Sequence, residues 1–88
     1  MEKYALNLHD YITKLLRDVE DDATKENKRA AILHEWFESV SNLPNVVVNE
    51  VNLNEERIEF AFLGMVDFSD ILYFINECVD CGVNVETI

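Results

Sequence analysis

Apolar residues recur at helical spacing at Leu8, Tyr11, Ile12, Leu15, Leu16 and Val19, which predicts a first helix opening at Leu6 or Asn7. Its outer face carries Asp10, Lys14 and Asp18 four residues apart, so their charges offset one another. The run Glu20-Asp21-Asp22 would set three anions at the negative end of that helix, so residues 20–23 read as a turn. Thr24 is the expected N-cap of a second helix, whose apolar face is Ala30, Leu33, Trp36, Phe37 and Val40. Lys25, Lys28 and Arg29 stand near its positive end, against the usual preference, and pairing with Asp21 or Asp22 is the expected reason. Asn42-Leu43-Pro44-Asn45 ends this helix, because the residue before a proline avoids helical geometry.

The period then changes. Val46-Val47-Val48 opens a β-branched stretch running to Leu53, and Asn54-Glu55-Glu56 reads as a turn. Ile58, Phe60 and Phe62 alternate with Arg57, Glu59 and Ala61, the pattern of a half-buried strand over 57–63, so the two strands form a hairpin that Gly64 closes. Asp67, or else Ser69, caps a third helix whose expected inner stripe is Phe68, Ile71, Leu72, Ile75, Cys78 and Val79. Gly82 suits the position just past its end, and Val83-Asn84-Val85 reads as a short final strand. The expected order is ααββαβ, an α+β fold around one small sheet, in a single domain spanning residues 1–88. If the last strand runs parallel to the second, its crossover is expected to be right-handed.

Charge changes this picture more than composition does. The chain is 49% hydrophobic, too apolar for a disordered acidic tail. Residues 1–30 hold seven carboxylates against six Lys and Arg, whereas residues 31–88 hold eleven against Arg57 alone, so nearly all of the net charge of −11 lies on the later part. Same-sign charge repels itself in a compact state, and a waiting partner of opposite sign is one reason to keep it. An acidic surface disfavours direct binding to nucleic acid or anionic lipid and favours a basic protein. No apolar run reaches the roughly 20 residues of a membrane span. Met1-Glu2-Lys3-Tyr4 lacks the pattern of a signal peptide, and the expectation is a cytoplasmic protein.

The sharpest candidate site is an acidic row on the third helix. Asp70, Tyr73, Glu77 and Asp80 share one face. Glu77 and Asp80 would lie about 4.5 Å apart along the axis and Asp70 and Glu77 about 10 Å, on the scale of phosphate spacing in a nucleic-acid strand. No Lys or Arg occurs after Arg57 to neutralise them. Asp67, Glu55 and Glu59 are the expected rim of a partner-binding surface, with Glu35, Glu38, Glu50 and Glu56 as further negative positions. The ordinary alternative is a solvated helix face, although such faces usually mix signs.

Other motifs carry less. Cys78-Val79-Asp80-Cys81 sits at the C-terminal end of its helix beside Glu77 and Asp80, where a thiolate is disfavoured, and a structural zinc site lacks two further ligands. His34-Glu35 opens like a zinc-protease motif, but Glu38 stands where the second histidine belongs. Trp36 and Phe37 point about 100° apart, so one of them is expected to be partly exposed. No phosphate loop, nucleophile motif or cofactor signature is present, so no catalytic residue, metal ligand or cofactor is assigned.

In size and charge, across the whole chain and through no motif, the protein resembles the small acidic inhibitors of phages and mobile elements. These include DNA-mimicking anti-restriction proteins, uracil-DNA glycosylase inhibitors and some anti-CRISPR proteins. That resemblance implies an inhibitor that occupies the nucleic-acid channel of a basic enzyme or regulator, with carboxylates standing in for phosphates. Three alternatives stay open: an immunity protein or antitoxin neutralising a basic toxin such as a nuclease, a small self-associating adaptor, and a C-x-x-C redox or zinc protein. The sequence leaves the oligomeric state open.

Overall fold

The computed structural model describes residues 3–64 and 67–88. Its elements run β1 (Lys3–Asn7), α1 (His9–Leu15), α2 (Asp22–Ser41), β2 (Val46–Asn52), β3 (Arg57–Phe62), α3 (Phe68–Asp80) and β4 (Asn84–Thr87). The four strands form one sheet in the order β2-β3-β1-β4, each antiparallel to its neighbours. The α+β class around one small sheet is therefore the observed class, but the ααββαβ order omits β1. That strand lies in the middle of the sheet, where Tyr4 pairs with Phe60 on one side and with Thr87 on the other. Its alternation of Tyr4 and Leu6 with Lys3, Ala5 and Asn7 was hidden because Leu6 and Leu8 also continue the helical spacing of α1. The final strand does run in the same direction as β3, with β1 between them.

All three helices cover one face of the sheet. Tyr4, Leu6, Ile58, Phe60 and Phe62 point to that face and join Ile12, Leu16, Leu33, Val40, Ile71 and Cys78 in a single buried cluster. β2 keeps its valines on the same side by means of a bulge between Val48 and Glu50. The extra residue, Asn49, resets the alternation, so Val46, Val48 and Val51 all pack against the core. The expected burial of Ile58, Phe60 and Phe62 is observed.

Several helix ends differ from expectation. α1 stops at Leu15, short of Val19. Asp21, not Thr24, caps α2: its carboxylate accepts from the backbone N–H of Thr24 at 2.9 Å and from the Thr24 hydroxyl at 2.6 Å. These bonds, the hydroxyl first, hold the Asp21 carboxyl below its ordinary value. The acids 20–22 thus serve the positive end of α2 and do not close α1. Asp67 caps α3 as expected, accepting from Ser69 N–H at 3.0 Å. At the far end Gly82 has φ +91°, its N–H donates to Val79 O and that of Val83 to Cys78 O, both at 2.9 Å. That pair of hydrogen bonds is a Schellman motif, and its two apolar ends, Cys78 and Val83, are both buried.

α3 does not bury the whole stripe expected of it. Ile71 and Cys78 are buried and Phe74 and Ile75 half-buried, but Phe68, Leu72 and Val79 are exposed. The helix meets the core along a narrower line, centred on Ile71 and Cys78, and leaves one apolar flank uncovered.

Candidate functional site

The cap at Asp67 and the glycine at 82 fix where α3 starts and stops, and with them the orientation of its faces. Asp70, Tyr73, Glu77 and Asp80 are all exposed and share the flank opposite Phe68, Leu72 and Val79. The Tyr73 hydroxyl donates to Glu77, and this bond, with the charge of Glu77, raises the Tyr73 pKa above its ordinary value of 10.0.

This flank forms the wall of a groove. One stretch, a cavity of about 230 Å³, is lined by Leu43, Pro44 and Phe62 on one side and by Asp70, Tyr73, Phe74 and Glu77 on the other. The next stretch shares Leu43, Phe74 and Glu77 and continues to Trp36, Asp80 and Cys81. The floor is firmly built. Phe74 meets Phe60 edge-on with ring centroids 5.7 Å apart, and Phe62 meets Phe60 in the same manner at 5.8 Å. Trp36 packs edge-on against Tyr11 at 5.6 Å, and both Trp36 and Phe37 are half-buried. The Leu43–Asn45 lip is set by Asn45, whose φ of +60° turns the chain so that its carbonyl accepts from Leu63 N–H at 2.6 Å. Among the described residues, no Lys, Arg or His lines either stretch.

The expected rim divides. Asp67 stays with α3, spent on the cap. Glu55 and Glu59 do not join the row; with Glu50, Asn52 and Arg57 they line a shallow pocket elsewhere. Glu59 alternates with Phe60 along β3, so it points to the face of the sheet that carries no helices. There Glu50, Glu59, Ala5 and Glu86 stand side by side across the four strands. Arg57 reaches Glu59 at 3.5 Å and Glu86 at 3.6 Å. The acids expected to form the site therefore fall into two groups, one on α3 and one on the open face of the sheet, and among the described residues no cation lines the α3 groove.

Two other acids are paired. Glu56 is buried, and Arg29 pairs with it in place of Asp21 or Asp22. Glu38 accepts from His34 Nε2 at 2.8 Å, an exposed i,i+4 pair. Four of the other cations, Lys14, Arg17, Lys25 and Arg29, line a cleft between α1 and α2. Lys25 and Ser41, at opposite ends of α2, are about 24 Å apart along its axis.

The cysteines are both free, Cys78 buried and Cys81 exposed. Burial, with Cys81 and Glu77 adding to it, pushes the Cys78 thiol up to about 11. Among the described residues no group of His, Cys, Asp and Glu is arranged to hold a metal ion, and no helix is long and apolar enough to cross a membrane.

The apolar half of the groove has no counterpart in the sequence pattern. Leu43 and Pro44 read in the sequence only as a helix stop, and Phe74 belongs to no expected stripe. Its position between Asp70 and Glu77 on the helix was the available signal. No family model, no curated protein and no solved structure matches this chain.

Proposed function

We propose that this protein is a non-enzymatic inhibitor that binds a basic, nucleic-acid-handling protein through the acidic flank of α3, in the manner of anti-restriction or anti-CRISPR proteins. The observation that carries this reading is the exposed row Asp70, Tyr73, Glu77 and Asp80, beside which no cation lies among the described residues. The row extends about 15 Å from Asp70 to Asp80. Carboxylates so placed stand where phosphates would lie, and Arg and Lys of the target pair with them through charge-assisted hydrogen bonds. Uncompensated charge also steers the encounter, which makes association fast and salt-sensitive. The cytoplasm, where such targets act, is the proposed location.

The test is capture of partners from lysate at about 0.1 M and about 1 M salt, between which screening shortens from roughly 10 Å to roughly 3 Å. A nucleic-acid enzyme recovered at the lower salt, inhibited by the protein and lost with the combined variant D70K/E77K/D80K supports the reading. Unchanged inhibition by that variant refutes it. An immunity protein or antitoxin would use the same surface physics, and rescue of cells expressing a neighbouring toxin gene identifies that case.

A second reading, self-association, is favoured by one separate observation: Phe68, Leu72 and Val79 expose an apolar flank on α3. Exposed apolar patches mark interaction surfaces. A monomer by light scattering at millimolar concentration would eliminate it.

A further inference from the structure

The geometry points to a basic segment of the partner protein, carrying an apolar side chain between cations, as the occupant of the groove beside α3. This deepens the reading above and rests on it. A row of carboxylates alone needs only charge from its partner. Here the row forms one wall of a trough whose other wall and floor are Leu43, Pro44, Phe62 and Phe74. A strand of bare cationic charge would leave that floor wet. A segment with Phe or Leu seated between Leu43 and Phe74 covers it and brings flanking Arg or Lys side chains over Asp70 on one side and over Glu77 and Asp80 on the other. Charge complementarity decides the sign of the occupant, because Asp70, Glu77 and Asp80 are the charged side chains that line the groove and all three are carboxylates. The exposed Tyr73 phenol on the wall supplies a flat surface on which a guanidinium can stack. The floor is held edge-on by Phe60, so the site is formed before the partner arrives.

The chain itself contains a segment of this kind. Leu15 is 54% exposed and stands between Lys14 and the pair Leu16-Arg17. A second copy docked through α1 is thus the competing occupant.

Two synthetic peptides test the assignment on the unmodified protein: acetyl-Arg-Lys-Phe-Lys-Arg-amide and the same peptide with Ala for Phe, titrated by amide NMR at low salt. The Phe peptide is expected to bind about tenfold more tightly, the gain from burying most of one aromatic ring. Its shifts are expected at Leu43, Asn45, Tyr73 and Phe74. Tyr73→Ala, at a position 66% exposed and so safe for the fold, is expected to weaken both peptides, because each carries the guanidinium that stacks on the phenol. Equal affinity of the two peptides, or shifts centred on Glu50, Glu59 and Glu86, overturns the groove assignment. So does self-association of the protein alone that Leu15→Asp abolishes, since the occupant is then a second copy. If neither peptide binds while D70K/E77K/D80K still abolishes capture of the target, the groove assignment fails and the inhibitor reading survives. If that variant captures its target unchanged, the inhibitor reading itself fails.

Discussion

Arg29 closes on the buried carboxylate of Glu56: its Nε donates to one oxygen at 2.9 Å and its Nη2 to the other. His9 Nδ1 lies 2.8 Å from the second oxygen, and Arg29 Nη1 donates to Thr13 Oγ1 at 3.2 Å. One acidic side chain in the β2–β3 turn thereby ties both N-terminal helices to the sheet. The turn pays for this with strain, since Glu56 has φ +55°, a left-handed conformation that a residue with a side chain rarely adopts. Leu8 N–H donates to its carbonyl at 2.9 Å and helps hold it there.

Glu56→Gln is expected to destabilise the protein by about 2–3 kcal/mol, the cost of leaving a partly buried guanidinium without its charge partner. Arg29→Met should cost at least as much, and the double variant less than the sum of the two. Urea unfolding of the four proteins measures the coupling. Glu56→Gly is expected to be destabilising despite relieving the backbone, because the carboxylate outweighs the strain.

Acid should act on the same cluster. Burial pushes the Glu56 carboxyl up, but hydrogen bonds from Arg29 and His9, together with their charges, outweigh it and hold the pKa below the ordinary 4.5. A carboxyl with a lower pKa folded than unfolded stabilises the fold fully above its unfolded value. That contribution is lost as pH falls from about 4.5 through the folded-state value. Unfolding free energy measured between pH 6 and 3 should therefore fall more steeply for the parent than for Glu56→Gln.

On the open face of the sheet, Arg57→Met removes the cation between Glu59 and Glu86. Glu50 and Glu59 then face each other directly across β2 and β3 without relief. A loss of about 1 kcal/mol is expected at low salt, shrinking toward zero near 1 M salt. A salt-independent loss would mean that packing of the arginine stem, and not charge, is what the residue supplies.

Gly82→Ala is expected to cost about 1 kcal/mol through the backbone alone, because a Cβ at this position meets nothing within 4 Å while φ is +91°. Gly82→Asn should recover part of that cost, since Asn tolerates the left-handed region better. Thermal melts of the two variants separate conformational from steric effects.

Thiol labelling at pH 8 should modify Cys81 promptly and Cys78 only on unfolding, given a Cys78 pKa of about 11 and its burial. Equal rates at both positions would show that the end of α3 opens readily.

Local pattern located the three helices, the β2–β3 hairpin and the Gly82 stop, and narrowed the α3 cap to Asp67 or Ser69, because each depends on neighbours in sequence. Charge counting found the acidic row of α3 for the same reason, since residues three and seven apart on a helix share a face. Tertiary structure decided what depends on distant neighbours. It drew Lys3–Asn7 into the centre of the sheet, where pairing with both β3 and β4 outweighs a weak local signal. It divided the acids between two faces, because alternate residues of a strand point to opposite sides. It also set Leu43 and Phe74 beside the acidic row as a groove, and buried Glu56 against Arg29, 27 positions earlier in the chain. Spacing cannot encode such contacts, which arise only when separate elements pack against one another.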